Sequence, residues 1–391
     1  MIQVASGAER ERRIANLRRA MAEAGLVALV VAGREDVRYR GRAFYVTDYW
    51  QLLGESHVII TPTDGPIFIG NTVWGLSQSA QSDWITEQRI SGTPGIEIGE
   101  VLKEKGITQG RVGIVGLSDA GVAYQHVKEL EATLPAVDLV DATKLFEDAR
   151  QANSAEELEK LSGSSDAWNS MYEEIETFIK PGVREVEIAG HSHRIAREHG
   201  LKDPMVLVWS DPFSSNTSFG TNRELSANSL LTVWIESAGP EGYWLEYRRC
   251  YSLGRISSEH AEYWSLIQAG VKAGVEELRP GNMASAFVEK VAEVLAEGGL
   301  KVDYVDAADQ HRQYSIHGIG SDAIQGMWAP GNDRVLVENE VVNIHPFVSL
   351  PTPEQVRKFG ALGITDNILV TPSGGQFLTH DADLTRAFRQ I

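Results

Sequence analysis

The chain predicts two domains of mixed class: an α/β domain over residues 1–150, then an α+β domain over 151–391 carrying an internal duplication. Two observations predict this. Short apolar runs alternate with amphipathic stretches through the first 150 residues. A helix–Lys/Arg-Pro-Gly–helix pattern then occurs twice, at Pro181-Gly182 and at Pro280-Gly281, each time followed by strand-like segments. With 391 residues, the chain is long enough for each domain to bury its own core.

Taken in order, Ala8 to Ala24 places Ile14, Leu17, Met21 and Ala24 on one helical face, and Gly25 stops it. Leu26 to Val31 reads as a buried strand. Further strands are expected at His57–Thr61, Ile67–Ile69, Arg111–Val115 and Leu139–Val140, with helices near Ile98–Lys105 and Ala123–Leu130. In the second domain, Asn153-Ser-Ala-Glu-Glu157 opens a long helix to Lys180, since a capping side chain and early acidic residues satisfy a helix N-terminus. A second helix spans Val186 to His199. The repeat of this unit spans Glu259 to Arg279 and Met283 to Glu297.

Asp and Glu outnumber Lys and Arg by 54 to 36, a formal charge of −18, which disfavours nucleic acid and anionic membranes as partners. Cys250 is the only cysteine, so no intrachain disulfide can form, as suits a reducing compartment. The apolar run Leu26–Ala32 is far shorter than the ~20 residues of a membrane span. Met1 to Arg13 lacks a signal-peptide apolar segment. A cytoplasmic protein is expected.

Leu230 to Glu236 alternates as a strand, Ala238-Gly239-Pro240 supplies a turn, and Tyr243 to Leu253 returns. Centred near Glu241, this hairpin sets Glu236 opposite Glu246. Two carboxylates so close need a cation, a shared proton or a basic neighbour. An exposed edge hairpin, with Glu246 paired to Arg248 or Arg249, would serve equally. His317 precedes a glycine-relaxed turn in Ser315-Ile-His-Gly-Ile-Gly320, and His345 ends an apolar strand against Pro346. Either histidine could belong to a site or be structural. Trp234, Tyr243, Trp244 and Tyr247 flank the hairpin as pocket wall or as core. His57, His126, His260 and His380 show no convergent partners in sequence. A phosphate-binding glycine loop, a Gly-x-Ser-x-Gly elbow, a cysteine pair for zinc and His-Glu-x-x-His are all missing.

These segments resemble, in order and spacing over nearly the whole chain, the pita-bread family of aminopeptidase P, prolidase, methionine aminopeptidase and creatinase. The resemblance is carried by Asp36–Trp50, the helix from Ala155, both Pro-Gly units, Gly242-Tyr243 ahead of Glu246 and Arg249, His317-Gly-Ile-Gly320, His345-Pro346 and Asp366–Thr371. It implies a C-terminal pita-bread domain. It also implies that Glu236 and Glu246 stand at the two hairpin aspartate positions and His317 at the ligand histidine. His345 and Thr365 then replace the two ligand glutamates, Ile324 a second histidine, and Thr217 an upstream catalytic one.

Loss of two negative charges and of the bridging carboxylate argues against a dinuclear centre. What the resemblance implies instead is a hydrolase of a C–N bond, amide or amidine, in a small polar molecule, with Glu236, Glu246, His317 and His345 catalytic. One form is metal-free and creatinase-like, with carboxylate–histidine acid/base chemistry. Another holds one divalent metal on Glu246, His317 and His345, with Glu236 as general base. A lyase, an Xaa-Pro dipeptidase and a non-catalytic binding module stand as alternatives. Trp234, Tyr243, Trp244, Arg249 and Thr365 are expected to contact substrate. Family members usually pair as homodimers, which adds Arg40 (with Arg38, Arg42 or Trp50) as a residue reaching the partner's site.

Overall fold

The structure is a computed structural model and describes residues 5–80, 82–212, 218–300, 316–327, 334–346, 350 and 352–391. It divides into two compact units, Met1–Gln151 and Ala152–Ile391. No described helix is long and apolar enough to cross a membrane.

The first unit runs α1 (Gly7–Glu23), β1 (Leu26–Arg34), α2 (Arg40–Thr47), β2 (Glu55–Ile60), β3 (Ile67–Gly70), α3 (Val73–Ser79), β4 (Glu87–Ile90), α4 (Pro94–Glu104), β5 (Gly110–Val115), α5 (Tyr124–Thr133), β6 (Val137–Asp141) and α6 (Thr143–Ala149). Its strands form one mixed sheet in the order β4-β3-β2-β1-β5-β6. Both faces are covered, which is why β1 reads as a nearly continuous apolar run. Leu29, Val31, Val58 and Phe68 pack against Leu17 and Met21 of α1 and Phe146 of α6. Ala28, Val30, Ile59 and Ile69 pack on the other face against Ile98 and Val101 of α4 and Leu130 of α5.

The second unit continues with α7 (Ala155–Glu176), α8 (Glu185–Glu198), β7 (Lys202–Ser210), β8 (Leu230–Ala238), β9 (Trp244–Ser252), α9 (Ser258–Glu276) and α10 (Ser285–Glu297). It ends with β10 (Ile316–Gly318), β11 (Gln325–Met327), β12 (Val341–Ile344), α11 (Pro353–Phe359), β13 (Asp366–Thr371), β14 (Gly374–Phe377) and β15 (Phe388–Gln390). Two sheets result, β15-β9-β8-β7 and β11-β10-β12-β13-β14.

The duplication is visible in matching backbone bonds. Gly182, at φ 85°, donates its N–H to Leu225 O at 2.8 Å, and Gly281, at φ 90°, donates to Leu336 O at 2.9 Å. Both glycines need the left-handed region that side chains disfavour. The helix ahead of the first one, α7, ends at Glu176 rather than at the expected Lys180. There Thr177, Phe178 and Ile179 bond to the third residue back, at 3.2, 3.1 and 3.1 Å, tightening the last turn out of α-geometry.

Each helix pair covers one sheet. Ile267, Val271 and Val275 of α9 with Phe287 and Val291 of α10 pack on Ile316, Val342, Ile344, Ile368 and Val370. On the other sheet, the Trp168 ring of α7 meets Tyr247 edge-on at 5.4 Å, and Tyr172 donates its hydroxyl to Tyr247 O at 2.7 Å. The strand residues between those helix-facing positions point the opposite way, and they carry the candidate site. Because Trp168 is fully buried, Trp168→Ala should cost about 3–5 kcal/mol in urea denaturation. A cost below ~1 kcal/mol would mean that α7 does not support the β8–β9 platform.

Candidate active site

β8 and β9 pair antiparallel without a bulge, with Trp234 opposite Arg248 and Glu236 opposite Glu246. Directly opposed residues share a face, so Thr232, Trp234, Glu236, Trp244, Glu246 and Arg248 point one way. Leu245, Tyr247 and Arg249 point toward α7. In the other sheet, His317 lies opposite Asn343, and Asn343 opposite Asn367. His345 follows β12 immediately, on the Asn343 side of the pleat. Glu236, Glu246, His317 and His345 are all buried, between 3% and 8% exposed. One side-chain donor atom from each of Glu246, His317 and His345 lies within 4.8 Å of the others. The two imidazoles meet edge-on, with centroids 5.2 Å apart.

The Glu246 backbone is clamped. Asn343 Nδ2 and Asn367 Nδ2 donate to Glu246 O at 3.0 and 2.9 Å, and Asn343 also donates to Asn367 Oδ1 at 3.0 Å. Its carboxylate accepts from Trp234 Nε1 at 2.6 Å through Oε1. The other oxygen, Oε2, faces His317 Nε2 at 3.6 Å. His317 Nδ1 must donate to the Gly318 carbonyl at 2.9 Å. A neutral His317 therefore aims the Nε2 lone pair at a carboxylate oxygen. Only a proton or a cation between them relieves that opposition.

Burial and the neighbouring Glu246 charge push Glu236 well above the ordinary carboxyl range, so it holds a proton. Burial works the same way on Glu246, but the His317 hydrogen bond, the two imidazoles and the Trp234 donor outweigh it and keep Glu246 low. Burial drives His345 from 6.5 down to about 4, against the pull of Glu246, so its ring is neutral and offers a lone pair. Two imidazoles and one carboxylate, one ring already anchored on a carbonyl, are a donor set that fits a single divalent ion.

Other expected contacts fall differently. Trp234 forms one wall, edge-on to His345 at 5.8 Å and tilted against Trp209 at 6.1 Å. Trp244 is buried on the Glu246 face of β9, and its backbone N–H donates to Gly320 O at 2.6 Å. Tyr243 turns toward the start of α7, with its hydroxyl 3.4 Å from Glu157 Oε1. Thr365 is buried beside Arg248, whose N–H donates to Thr365 O at 3.2 Å, and its Oγ1 has no hydrogen-bond partner among the described residues.

Arg249 does not join the site. The strand alternation puts it on the α7 side, over the Tyr172 and Tyr247 rings at 5.3 and 5.2 Å, with Asp366 at 3.9 Å. Arg248, passed over in the sequence, takes the site face, stacked on Trp209 at 5.0 Å and 6.0 Å from the Trp234 ring. Its place could have been read from the period of two, since 246 and 248 share a face. Arg40 lies in the first unit, buried with its guanidinium over the Trp50 ring at 4.9 Å. Ile324 is half-buried, and Thr217 and Ser315 lie outside the described residues.

Residues 159–372 match the model of metallopeptidase family M24, and residues 13–152 match that of the creatinase/prolidase N-terminal domain. A probable dipeptidase PepE of Mycobacterium tuberculosis is 25% identical over 376 residues, covering 93% of this chain and 92% of the relative. A creatinase from a Bacillus species is 22% identical over 388 residues, covering 94% of this chain and 89% of the relative. Among solved structures, dipeptidase PepE from Mycobacterium ulcerans aligns with a TM-score of 0.78 at 21% identity, over 99% of both chains. Xaa-Pro dipeptidase from Bacillus anthracis aligns at 0.77 and 19% identity, covering 98% of this chain and 100% of its own. These two structures share the fold of this chain.

His345 has a pH signature. Its folded value of about 4 lies below its ordinary 6.5, so the unfolded chain binds the extra proton between these two. The stabilisation from keeping it neutral is complete above 6.5 and is lost as pH falls toward about 4. In chelator-treated protein, His345→Gln should flatten the acid side of the stability curve by up to about 1.4 kcal/mol per pH unit. Denaturation curves of unchanged slope would contradict a neutral, buried His345.

Proposed function

The chain belongs to metallopeptidase family M24, and from that premise we propose that it hydrolyses an amide bond in a small polar substrate using one divalent ion rather than two. Family membership makes it a hydrolase of C–N bonds. The observation that carries the finer reading is the convergence of Glu246, His317 and His345 within 4.8 Å. A single divalent ion held by these three side chains would act as a Lewis acid and lower the pKa of a bound water. A second ion would want a carboxylate where Thr365 offers only a hydroxyl.

The protein's own groups supply the rest. Glu236 carries a buried proton directly across the hairpin from Glu246, suited to protonating a departing amine. The Asn343–Asn367 clamp fixes the Glu246 backbone and so limits where its carboxylate can reach. Trp234 and Trp209 wall the cleft against water. Arg248 replaces Arg249 as the anchor for a substrate carboxylate, since its Nε is buried with no hydrogen-bond partner among the described residues. A small amide bearing a free carboxylate, such as a dipeptide, suits this arrangement.

A second reading keeps the same residues and dispenses with the ion. It is favoured by the opposite displacement of the two glutamates, one held protonated and the other ionised, which is the pattern of an acid–base pair. Metal analysis separates the two. In the single-ion reading, His345→Ala loses one equivalent of divalent metal and the amidase activity together. Loss of two equivalents would establish a dinuclear enzyme, and full turnover after exhaustive chelation would establish the metal-free one. In either case Glu236→Gln should keep the wild-type metal content and lower kcat about 10²–10⁴-fold in a screen of dipeptides and small amides.

A further inference from the structure

The first unit contains a cluster that the amidase reading does not use. Glu55 and His57 occupy alternate positions of β2, so both project from one face of the sheet. That face is covered by α4 and α5, and His126, in the first turn of α5, comes down onto it. The two imidazoles meet edge-on with centroids 5.4 Å apart. His126 Nε2 lies 3.3 Å from Glu55 Oε1. One donor atom from each of the three residues lies within 4.8 Å of the others. The sequence had shown no partners for His57 or His126, and the fold supplies them across many intervening residues.

The surroundings favour a cation over a purely structural contact. His57 is only 1% exposed, yet its Nδ1 has no hydrogen-bond partner among the described residues, and neither has the buried His126 Nδ1. Polar nitrogens left this way in a protein interior are uncommon unless something binds them. Glu55 is positioned by Asn71, whose Oδ1 accepts from Glu55 N at 3.1 Å and whose Nδ2 donates to Glu55 Oε1 at 3.5 Å. The rim is open, with side chains of His126 and Glu55 11% and 20% exposed. An ion can therefore reach the cluster from solvent.

We propose that Glu55, His57 and His126 form a second divalent-metal site, of the zinc class, that clips helix α5 to strand β2. Two imidazoles and one carboxylate select borderline ions such as zinc over calcium or magnesium, which prefer all-oxygen shells. The site is separate from the Glu246 cluster and does not depend on the amidase reading.

The test uses the full-length His345→Ala protein, in which the C-terminal cluster is disabled, titrated with zinc after chelation. It should bind one equivalent, and zinc should raise its unfolding midpoint. Adding His126→Gln, a substitution at the open rim, should abolish both effects. The visible bands of the cobalt-substituted protein should disappear with them, and Glu55→Gln should weaken zinc binding at least tenfold. A His345→Ala protein that takes up no zinc overturns the proposal without any further variant. So does a zinc equivalent that survives His126→Gln. Failure of the single-ion reading would appear elsewhere, as unchanged metal content between wild type and His345→Ala.

Discussion

Two carboxylates face each other across one register pair of a buried hairpin, and the chemistry of the C-terminal unit is organised around that fact. Glu236 and Glu246 are both nearly inaccessible and directly opposed. Two bare charges there would repel in a medium that screens poorly. The protein answers by making the pair unequal. The indole of Trp234 donates to Glu246 and the rings of His317 and His345 lie beside it, while Glu236 is left to burial and repulsion. The asymmetry provides one proton carrier and one anion from two identical side chains.

That arrangement needs a rigid frame, and the duplicated scaffold provides it. Each repeat places a helix pair behind one sheet and turns the other face of that sheet toward the site. The left-handed glycines at 182 and 281 tie each helix pair to the segment leading into its next strand, β8 or β12, through equivalent bonds. The Asn343–Asn367 pair then joins the two sheets at the peptide of Glu246. Residue 246 is thus held by backbone from one repeat and side chains from the other.

Much of this was legible in the sequence. The turn at Ala238-Gly239-Pro240 and the alternation of β8 were enough to set Glu236 opposite Glu246, because a hairpin has only one register for a given turn. The flanking glycine and proline marked His317 as preceding a turn and His345 as ending a strand, but left open whether either belonged to a site. Arg249 was misplaced because its family position outweighed strand parity, which puts Arg248 beside Glu246 instead. The Asn343–Asn367 clamp escaped notice because amides inside strands look like ordinary polar positions. His57 and His126 could not be joined from sequence, since nothing local links a strand residue to the first turn of a helix so far along the chain.

The indole of Trp234 has a consequence for selectivity. The indole takes one lone pair of the Glu246 oxygen it holds at 2.6 Å, which makes that oxygen the poorer of the two metal donors. Oε2, which faces His317, is the better ligand, and a one-toothed mode is favoured over a two-toothed one. Large, oxygen-loving ions that rely on bidentate carboxylates lose their best foothold, whereas small ions content with few, well-directed donors lose nothing. A tryptophan that looks like pocket lining would thereby act as a size filter for the ion beside it.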